Sequence, residues 1–318
     1  MHIRSSVDAS EKGAVRQHVL AALCEKQGSS FSFLGHLLAL QWSDIQADSL
    51  VVTMPVGPHC TDAAGRVSMS ALCGMVDIGL ANACRLAVGR GWRLATIQLH
   101  LQLTGVALEG DLILSAAFDG FSTGTALRQL FSHGVVTCGG KAVCHARASF
   151  VALPPPSKTR LDAYPWEQMK SHGASGLKAT ELDADAQALL ADCERALACT
   201  NNDRGFLDRF LGLAPRANES GSLCEIAITP TLSNRVGHVQ GGLLLSIAAQ
   251  TAQAAAGDHP VLSSLSCSYT GPGRGDRLSA RSDVLHRGRS FATIQTQVRT
   301  SDSVLVSDTI STHAAGRT

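Results

Sequence analysis

A single carboxylate stands out in this sequence because its neighbours are small and apolar. Asp77 is the one charged residue of the segment Val67–Cys84. Burying an unpaired carboxylate costs free energy, so a core-like helix that keeps one is expected to use it. A carboxylate in such a position can act as a general base or as a nucleophile. Asp77 is therefore the first catalytic candidate, and the competing interpretation is a structural salt bridge to Arg85 or Arg93.

A second segment, His238–Gly257, has the same texture and carries no formal charge. The two segments align at a constant spacing of 172 residues, from position 62 to position 234. At this spacing Asp77 corresponds to Ala249, so the second copy lacks the acid. The full correspondence pairs Asp62 with Asn234, Gly65 with Gly237, and Ser68-Met69-Ser70 with Gln240-Gly241-Gly242. Each copy therefore retains one feature, the acid or the glycine pair, that the other has lost.

The composition is that of an ordinary globular protein that is long enough for two domains. Of the 318 residues, 45% are hydrophobic and 17% are charged, and the formal net charge is +1. This charge gives no reason to expect a nucleic acid or an acidic membrane as a partner. The ten cysteines are scattered without metal-ligand spacing, which predicts reduced thiols, no metal site and a cytoplasmic location.

The elements around the two apolar segments also repeat. Each segment follows a strand-like run and is followed by several more, so each is predicted to be a buried central helix. Neither is expected to span a membrane, since glutamines and alanines make the longer one poorly lipophilic. The predicted fold class is α+β, with two tandem units in which an antiparallel sheet wraps one long helix. The predicted organisation is a helical extension over 1–29, the first unit over 30–153, a linker with a helix at Glu181–Cys199 over 154–204, and the second unit over 205–316.

The second copy resembles a known family signature. Hotdog-fold acyl-CoA thioesterases of the phenylacetate type carry roughly Asn-x-x-Gly-x-x-His-Gly-Gly, with an acid nine positions after the histidine. Asn234-x-x-Gly237-x-x-Gln240-Gly241-Gly242 is similar to this pattern, with a glutamine in place of the histidine. Asp77 stands nine positions after Ser68, where the family acid belongs. The resemblance implies two tandem hotdog units, which stand in for the usual homodimer.

The resemblance also implies where the chemistry would take place. In this family the site forms between two units: the amide of the first glycine faces the thioester carbonyl, and the acid comes from the other unit's helix. Here Gly241, followed by Gly242, and Asp77 would take these parts. A helix N-terminus presents unsatisfied N–H groups, which suits a developing oxyanion, and glycine leaves room for the acyl group. The reciprocal pairing of Met69 with Ala249 offers no acid, so one live site and one degenerate site are predicted.

Four residues are candidates for holding the substrate. Arg287 and Arg289, in a turn that resembles a family Arg-Gly-Arg turn, could bind coenzyme A phosphates, because guanidinium groups bind phosphate in a bidentate manner. The competing interpretation is a solvated turn. Gln240 could donate a hydrogen bond where the family has its histidine. Asn234 is equally well interpreted as a turn or cap residue, and the two glycines could serve close packing alone.

The sequence therefore predicts an acyl-CoA thioesterase that forms a carboxylic acid and coenzyme A without a metal or redox cofactor. The expected partner is the acyl-CoA substrate, with no nucleic acid and no membrane, and a homo-oligomer of double-hotdog chains is compatible with it. The first alternative is a non-catalytic acyl-CoA-binding or regulatory hotdog protein. A hotdog hydratase or dehydratase ranks last, because neither central segment pairs a histidine with an acid.

Overall fold

Two long helices, each flanked by antiparallel strands, organise the chain. The computed structural model describes residues 9–27, 32–124, 128–154, 163–168, 182–199, 203–234 and 236–316. The helices are α1 (Ala9–Gln27), α2 (Phe33–Leu37), α3 (Met69–Val88), α4 (Pro165–Gln168), α5 (Ala184–Ala198), α6 (Phe206–Phe210) and α7 (Gly241–Ala255). The strands are β1 (Gln41–Ser43), β2 (Ser49–Met54), β3 (Arg93–Leu103), β4 (Leu112–Phe121), β5 (Gln129–Cys138), β6 (Lys141–Leu153), β7 (Arg216–Ala217), β8 (Gly221–Ala227), β9 (Val261–Tyr269), β10 (Arg277–Arg287), β11 (Phe291–Thr300) and β12 (Leu305–Ala314).

All twelve strands belong to one antiparallel sheet. Its order is β1-β2-β4-β5-β6-β3-β9-β12-β11-β10-β8-β7. The two halves mirror each other, because β7 to β12 repeat the order of β1 to β6 from the opposite edge. The halves join where β3 pairs with β9, with Leu99 opposite Cys267. The sheet is thus continuous across the two units, and the predicted pair of α+β units, each wrapping one helix, is confirmed.

The two central helices are α3 and α7, and both are largely buried. The Ser68 hydroxyl caps α3 by accepting a hydrogen bond from the Ala71 amide at 3.2 Å. At the start of α7, Gln240 makes no side-chain cap. The helices touch through backbone, since a Cβ on Gly242 would lie 2.5 Å from the Cys73 carbonyl oxygen. Of the helices described, α3 is long and apolar enough to cross a membrane, but most of it is buried as the core of the first unit.

The turn that leads into each central helix has the same hydrogen bonds in both units. In each, the side-chain oxygen of the first residue accepts N–H groups two and four positions further on, and a glycine adopts positive φ (81° and 77°). The four bonds are Ala64 and Arg66 to Asp62 (2.8 and 3.0 Å), and Val236 and His238 to Asn234 (3.0 and 3.1 Å). The spacing of 172 residues found in the sequence is therefore a structural repeat.

Several elements differ from their predicted bounds. The linker helix, predicted from Glu181, begins at Ala184 because Asp183 caps it, its carboxylate accepting from the Ala186 amide at 2.8 Å. The strand β5 is described from Gln129, and residues 125–127 lie outside the described ranges. The short elements β1, β7 and α4 were not predicted. Around the first unit, α1 packs against α2 and α5, and α5 packs against α6. The domain boundaries remain predictions.

Candidate active site

Asp77 of α3, in the first unit, meets the N-terminus of α7, in the second unit. The Gly242 amide donates a hydrogen bond to Asp77 Oδ2 at 2.9 Å. The Thr96 hydroxyl, on β3, donates to Asp77 Oδ1 at 3.0 Å. The carboxylate is only 5% exposed. Both oxygens are therefore held, one by each half of the molecule.

The environment of Asp77 changes its proton affinity. Burial raises the pKa of this carboxyl to about 6, while the hydrogen bonds from Gly242 and Thr96 oppose the shift. The side chain is therefore a carboxylate at neutral pH, with an affinity for protons much higher than that of an exposed aspartate. Such a group can accept a proton from water during a reaction.

The two glycines at the start of α7 play different parts. A Cβ on Gly241 would lie 3.1 Å from both carboxylate oxygens of Asp77 and 3.0 Å from Thr96 Oγ1. Gly241 thus leaves open the space directly in front of the carboxylate. Gly242 instead binds Asp77 through its amide and allows the close approach of α3. The packing interpretation therefore applies to Gly242, while Gly241 borders the open space.

A cavity of about 430 Å³ begins at this point and runs along one face of α3. Three residues of that face, Asp77, Ala81 and Arg85, are spaced one helical turn apart, so the face spans about 12 Å. Further walls are mainly apolar and come from both units: Ile78, Leu94, Ile97, Val151, Leu153, Val236, Leu244 and Tyr269. The size and lining suit a small ligand with an apolar part.

Three arginines and a histidine lie in or next to the wall of the same cavity. Arg85, Arg93 and His238 line it, and Arg274 follows the lining residue Gly273. Burial lowers the pKa of His238, and the charges of Arg93 and Arg274 lower it further. These groups therefore lie close enough to influence one another, and they favour an anionic ligand. Within the described ranges, no group of three or more His, Cys, Asp or Glu side chains could hold a metal ion.

Two of the predicted substrate-binding residues lie in the cavity wall. Asn234 lines the cavity while its Oδ1 atom is engaged in the turn before α7. Gln240 also lines it and is 6% exposed. Among the residues that the structure describes, the Gln240 Oε1 atom has no hydrogen-bond partner. Both side chains are therefore placed beside Gly241, where a ligand would meet them.

The two predicted phosphate-binding arginines lie elsewhere. The Arg287 guanidinium donates to the carbonyl oxygens of Ala256 and Ala255, at 2.6 and 2.7 Å. These carbonyls end α7, about 20 Å along the helix from Gly241, and a cation there is favourable. Arg289 is exposed on the turn that follows. Arg287 therefore caps a helix, and the phosphate-binding role predicted for the pair is not supported at this cavity.

The reciprocal half-site, at the N-terminus of α3, contains an acid that the sequence analysis missed. Asp208 of α6 accepts hydrogen bonds from the Ser70 hydroxyl at 2.8 Å and from Gln250 Nε2 at 2.9 Å. Gln250 also bonds the Ser70 hydroxyl at 2.9 Å. Burial raises the pKa of the Asp208 carboxyl. The expectation that this half-site has no acid is therefore wrong, because a short helix outside the aligned segments supplies one.

Three polar residues of the two half-sites were not assigned a role from the sequence: Thr96, Tyr269 and Asp208. Thr96 and Tyr269 belong to strands whose side chains alternate, and the pattern does not say which partner each reaches. Asp208 offered a signal, since it is an acid within the otherwise apolar start of α6, Phe206-Leu207-Asp208. A buried charge in an apolar helix is the feature that had identified Asp77.

Comparisons with known proteins bear on the family and the fold. Residues 229–313 match the family model of the acyl-CoA thioesterase N-terminal domain. A structure described as an oleoyl thioesterase of Lactobacillus plantarum is similar to the chain at 10% identity, with a TM-score of 0.53, over 85% of this chain and 97% of that one. The 12:0-ACP thioesterase of Umbellularia californica is similar at 10% identity, with a TM-score of 0.54, over 84% and 94%.

The search of curated proteins gave no match. At 10% identity the two solved structures establish the fold, and the family match covers most of the second unit. The branch of the family that the sequence motif suggested stays a prediction. The predicted double-hotdog fold is confirmed, and residues 229–313, within the second unit, match the acyl-CoA thioesterase N-terminal domain.

Proposed function

We propose that the protein is an acyl-CoA thioesterase with one composite site, which hydrolyses a thioester to a carboxylic acid and coenzyme A. One observation carries the proposal. The Asp77 carboxylate is fixed at the N-terminus of α7, and Gly241 keeps the space in front of it open at the head of a cavity. The match to the acyl-CoA thioesterase domain supports thioester hydrolysis as the reaction class.

In the proposed mechanism Asp77 is the general base. The thioester carbonyl lies beside the Gly241 amide, which stabilises the oxyanion at the helix N-terminus. Asp77 takes a proton from a water molecule as the water oxygen attacks the carbonyl carbon. The C–S bond then breaks, and Asp77 gives this proton to the departing sulfur, so that the thiol leaves and the carboxylate is restored. As a general base, Asp77 can stay in its hydrogen bonds from Gly242 and Thr96, whereas direct attack would move the carboxylate towards the carbonyl carbon to form a covalent bond. The proposal therefore takes the general-base route, which needs no metal or redox cofactor.

The cavity also suggests how the substrate lies. The apolar wall along Ile78 and Ala81 suits the acyl chain, since burying apolar surface there is favourable. The positive groups Arg93 and Arg274 suit the phosphates of coenzyme A, because guanidinium is well adapted to phosphate, and the neutral His238 beside them can donate a hydrogen bond. In this proposal they replace Arg287 and Arg289 as the phosphate-binding groups. A cytoplasmic location and a homo-oligomer both stay predictions.

A non-catalytic acyl-CoA-binding protein is the second candidate. The observation that favours it is Gln240, which occupies the position of the family histidine and lines the cavity without a partner for its Oε1 atom among the described residues. In that case the cavity would bind coenzyme A thioesters, and the carboxylate would not turn them over.

The test is thiol release from a panel of short, long and aromatic acyl-CoAs, with Asp77→Asn as the variant. Removing a general base lowers kcat by roughly 10²–10⁴-fold. The matched control is Asp208→Asn, which neutralises the buried carboxylate of the reciprocal half-site and should leave turnover within a few-fold of the native rate. Unchanged turnover in Asp77→Asn, with its circular dichroism spectrum intact, would show that the composite site is not where hydrolysis takes place. Saturable coenzyme A binding without turnover would establish the binding protein instead.

A further inference from the structure

Two hydrogen bonds meet on a single peptide group at the start of α7. The Tyr269 hydroxyl, on β9, donates to the carbonyl oxygen of Gly241 at 2.8 Å. The N–H of the same peptide group is that of Gly242, and it donates to Asp77 Oδ2 at 2.9 Å. The Tyr269 hydroxyl is thus connected to the carboxylate through one peptide unit.

Hydrogen bonds in series strengthen each other. A donor on the carbonyl oxygen draws electron density from the peptide group and makes its N–H a stronger donor. A stronger hydrogen bond to the carboxylate favours its ionised form. Burial raises the pKa of the Tyr269 phenol well above its ordinary value, so this side chain keeps its proton and remains a donor.

We propose that Tyr269 is a positioning residue for the proposed hydrolysis. Through the Gly241–Gly242 peptide, its hydroxyl orients the Asp77 carboxylate and keeps it ionised and available as a base at neutral pH. The same bond fixes the direction of the first peptide of α7, beside which the thioester would lie. The catalytic part rests on the proposed function, whereas the effect on Asp77 ionisation does not depend on it.

The other unit lacks this hydroxyl. Thr104 and Thr270 are equivalent, because each donates its hydroxyl to a neighbouring strand's carbonyl at 2.8 Å, that of Ala142 and Leu305 respectively. The residue before each is therefore also equivalent, which pairs Leu103 with Tyr269. A leucine cannot polarise the peptide at the start of α3. The tyrosine hydroxyl is thus found at the start of α7, where a backbone amide binds a carboxylate, and its counterpart at the start of α3 is a leucine.

Several other titratable or charged groups face Asp77 or its cavity. They are Cys73 and Arg85 on α3, Arg93 on β3, His238 before α7, and Tyr269 itself. Burial raises the pKa of the Cys73 thiol and lowers that of His238. The thiol and the phenol therefore stay neutral, and burial together with the charges of Arg93 and Arg274 favours the neutral form of His238. Asp77 is the group expected to titrate near pH 6.

The sequence offers a selective reporter for this peptide. Gly139-Gly140 and Gly241-Gly242 are its only adjacent glycine pairs. Protein labelled with 13C′,15N-glycine therefore gives two HNCO cross-peaks, from Gly140 and Gly242. The Gly242 peak reports the Gly241 carbonyl, which Tyr269 contacts, together with the amide that binds Asp77. The Gly140 peak, from the β5–β6 turn, is an internal control.

The experiment is a pH titration of these two peaks in the native protein and in Tyr269→Phe, with Tyr164→Phe as the control at the chain's other tyrosine. The native Gly242 peak should move with a midpoint near pH 6, and Asp77→Asn should abolish this movement. In Tyr269→Phe the Gly241 carbonyl resonance should move upfield, and the midpoint should rise by about half a unit to one unit. Tyr164→Phe should change neither.

The rate of thiol release should follow the same shift. At pH 6, kcat of Tyr269→Phe should fall about two- to five-fold, with KM unchanged, and the deficit should disappear near pH 8. A purely structural role would lower the rate equally at all pH values. An unchanged Gly242 midpoint in Tyr269→Phe would overturn the proposal, whether or not the protein turns over acyl-CoA.

A second route applies if Tyr269→Phe does not fold. Biosynthetic replacement of both tyrosines by 3-fluorotyrosine keeps the side-chain shape and makes the phenol a stronger donor. The Gly242 midpoint should then move below that of the native protein. A midpoint that stays the same or rises would contradict the proposal.

Discussion

The starts of α7 and α3 are alike in the turn that precedes them and differ in how each binds an acid. The same turn leads into both helices, and both lie against the other unit's central helix. At α7 a carboxylate of the opposite unit binds a backbone amide beside an open cavity. At α3 a carboxylate from the short helix α6 is held by two side chains, those of Ser70 and Gln250. Both acids are buried, and Asp77 lines the cavity of about 430 Å³.

The difference shows that a buried carboxylate alone does not define a site. Asp77 and Asp208 both have a raised pKa because of burial. Around Asp77, Gly241 leaves space in front of the carboxylate and Thr96 donates a hydrogen bond to it. Tyr269 donates to the carbonyl of the peptide group whose N–H binds the carboxylate. At Asp208 the neighbouring polar groups satisfy one another. The spatial arrangement around each acid, and not its proton affinity, therefore separates the candidate site from its counterpart.

The largest effect on stability should come from replacing a small residue at the start of a central helix with alanine, and it should differ between the equivalent positions Gly242 and Ser70. In Gly242→Ala the new Cβ would lie 2.5 Å from the Cys73 carbonyl oxygen, a backbone contact that can only be relieved by moving α3 from α7. We expect a loss of about 3 kcal/mol or more in the free energy of unfolding. Ser70→Ala, at the equivalent position, should cost about 1 kcal/mol for its lost hydrogen bonds. Urea denaturation of both variants measures this, and equal midpoints would refute the contrast.

Next in size is the pH dependence of stability. Burial raises the pKa of Asp77 from 3.8 to about 6 in the folded protein. The folded state therefore holds this proton more tightly than the unfolded state does. Its contribution to stability is fully present below about pH 4 and is lost as pH rises to about 6, by up to about 3 kcal/mol.

Asp77→Asn should therefore be more stable than the native protein at pH 8 and similar to it at pH 4. Asp208→Asn should change in the same direction, because the pKa of Asp208 is also raised. Only Asp77→Asn should lose turnover. Denaturation midpoints at pH 4, 6 and 8 supply the measurement, and an Asp77→Asn protein that is less stable at pH 8 would show that ionised Asp77 is net stabilising.

The smallest effect concerns the turns that the two units share. Asp62 already forms the turn that Asn234 forms in the other unit, so Asn234→Asp should change the free energy of unfolding by no more than about 0.5 kcal/mol. Its added charge lies in the wall of the cavity and should raise KM for an anionic thioester several-fold. Asp62→Asn is the matched exchange away from the cavity, and its KM should stay native. Equal KM values in both variants would show that Asn234 is not part of the substrate site.

Much of the fold was accessible from the sequence because its strongest signals are local and repeated. Two apolar segments at one spacing, with Asp77 as their only formal charge, predicted α3 and α7, and the complementary loss of acid and glycines singled out Asp77 and Gly241. Asp208 was missed because tertiary packing, and not local pattern, brings α6 to the start of α3. The contacts of Arg287 could not be predicted, because its partners are helix-end carbonyls that lie far from it in sequence. The strands β1 and β7 have three and two residues, too few to show an alternation.

The two units belong to one chain and meet where β3 pairs with β9. This arrangement has consequences for how the two sites evolve and for how the site behaves at low protein concentration. In a dimer of identical hotdog subunits every substitution appears at both sites, so one site cannot degrade while its twin is preserved. Joining the two units in one chain removes that constraint, and each helix N-terminus is free to diverge. The joining also makes the meeting of Asp77 with Gly242 a unimolecular event. The two units have a millimolar-scale effective concentration with respect to each other, so the contact between Asp77 and Gly242 does not weaken at low protein concentration.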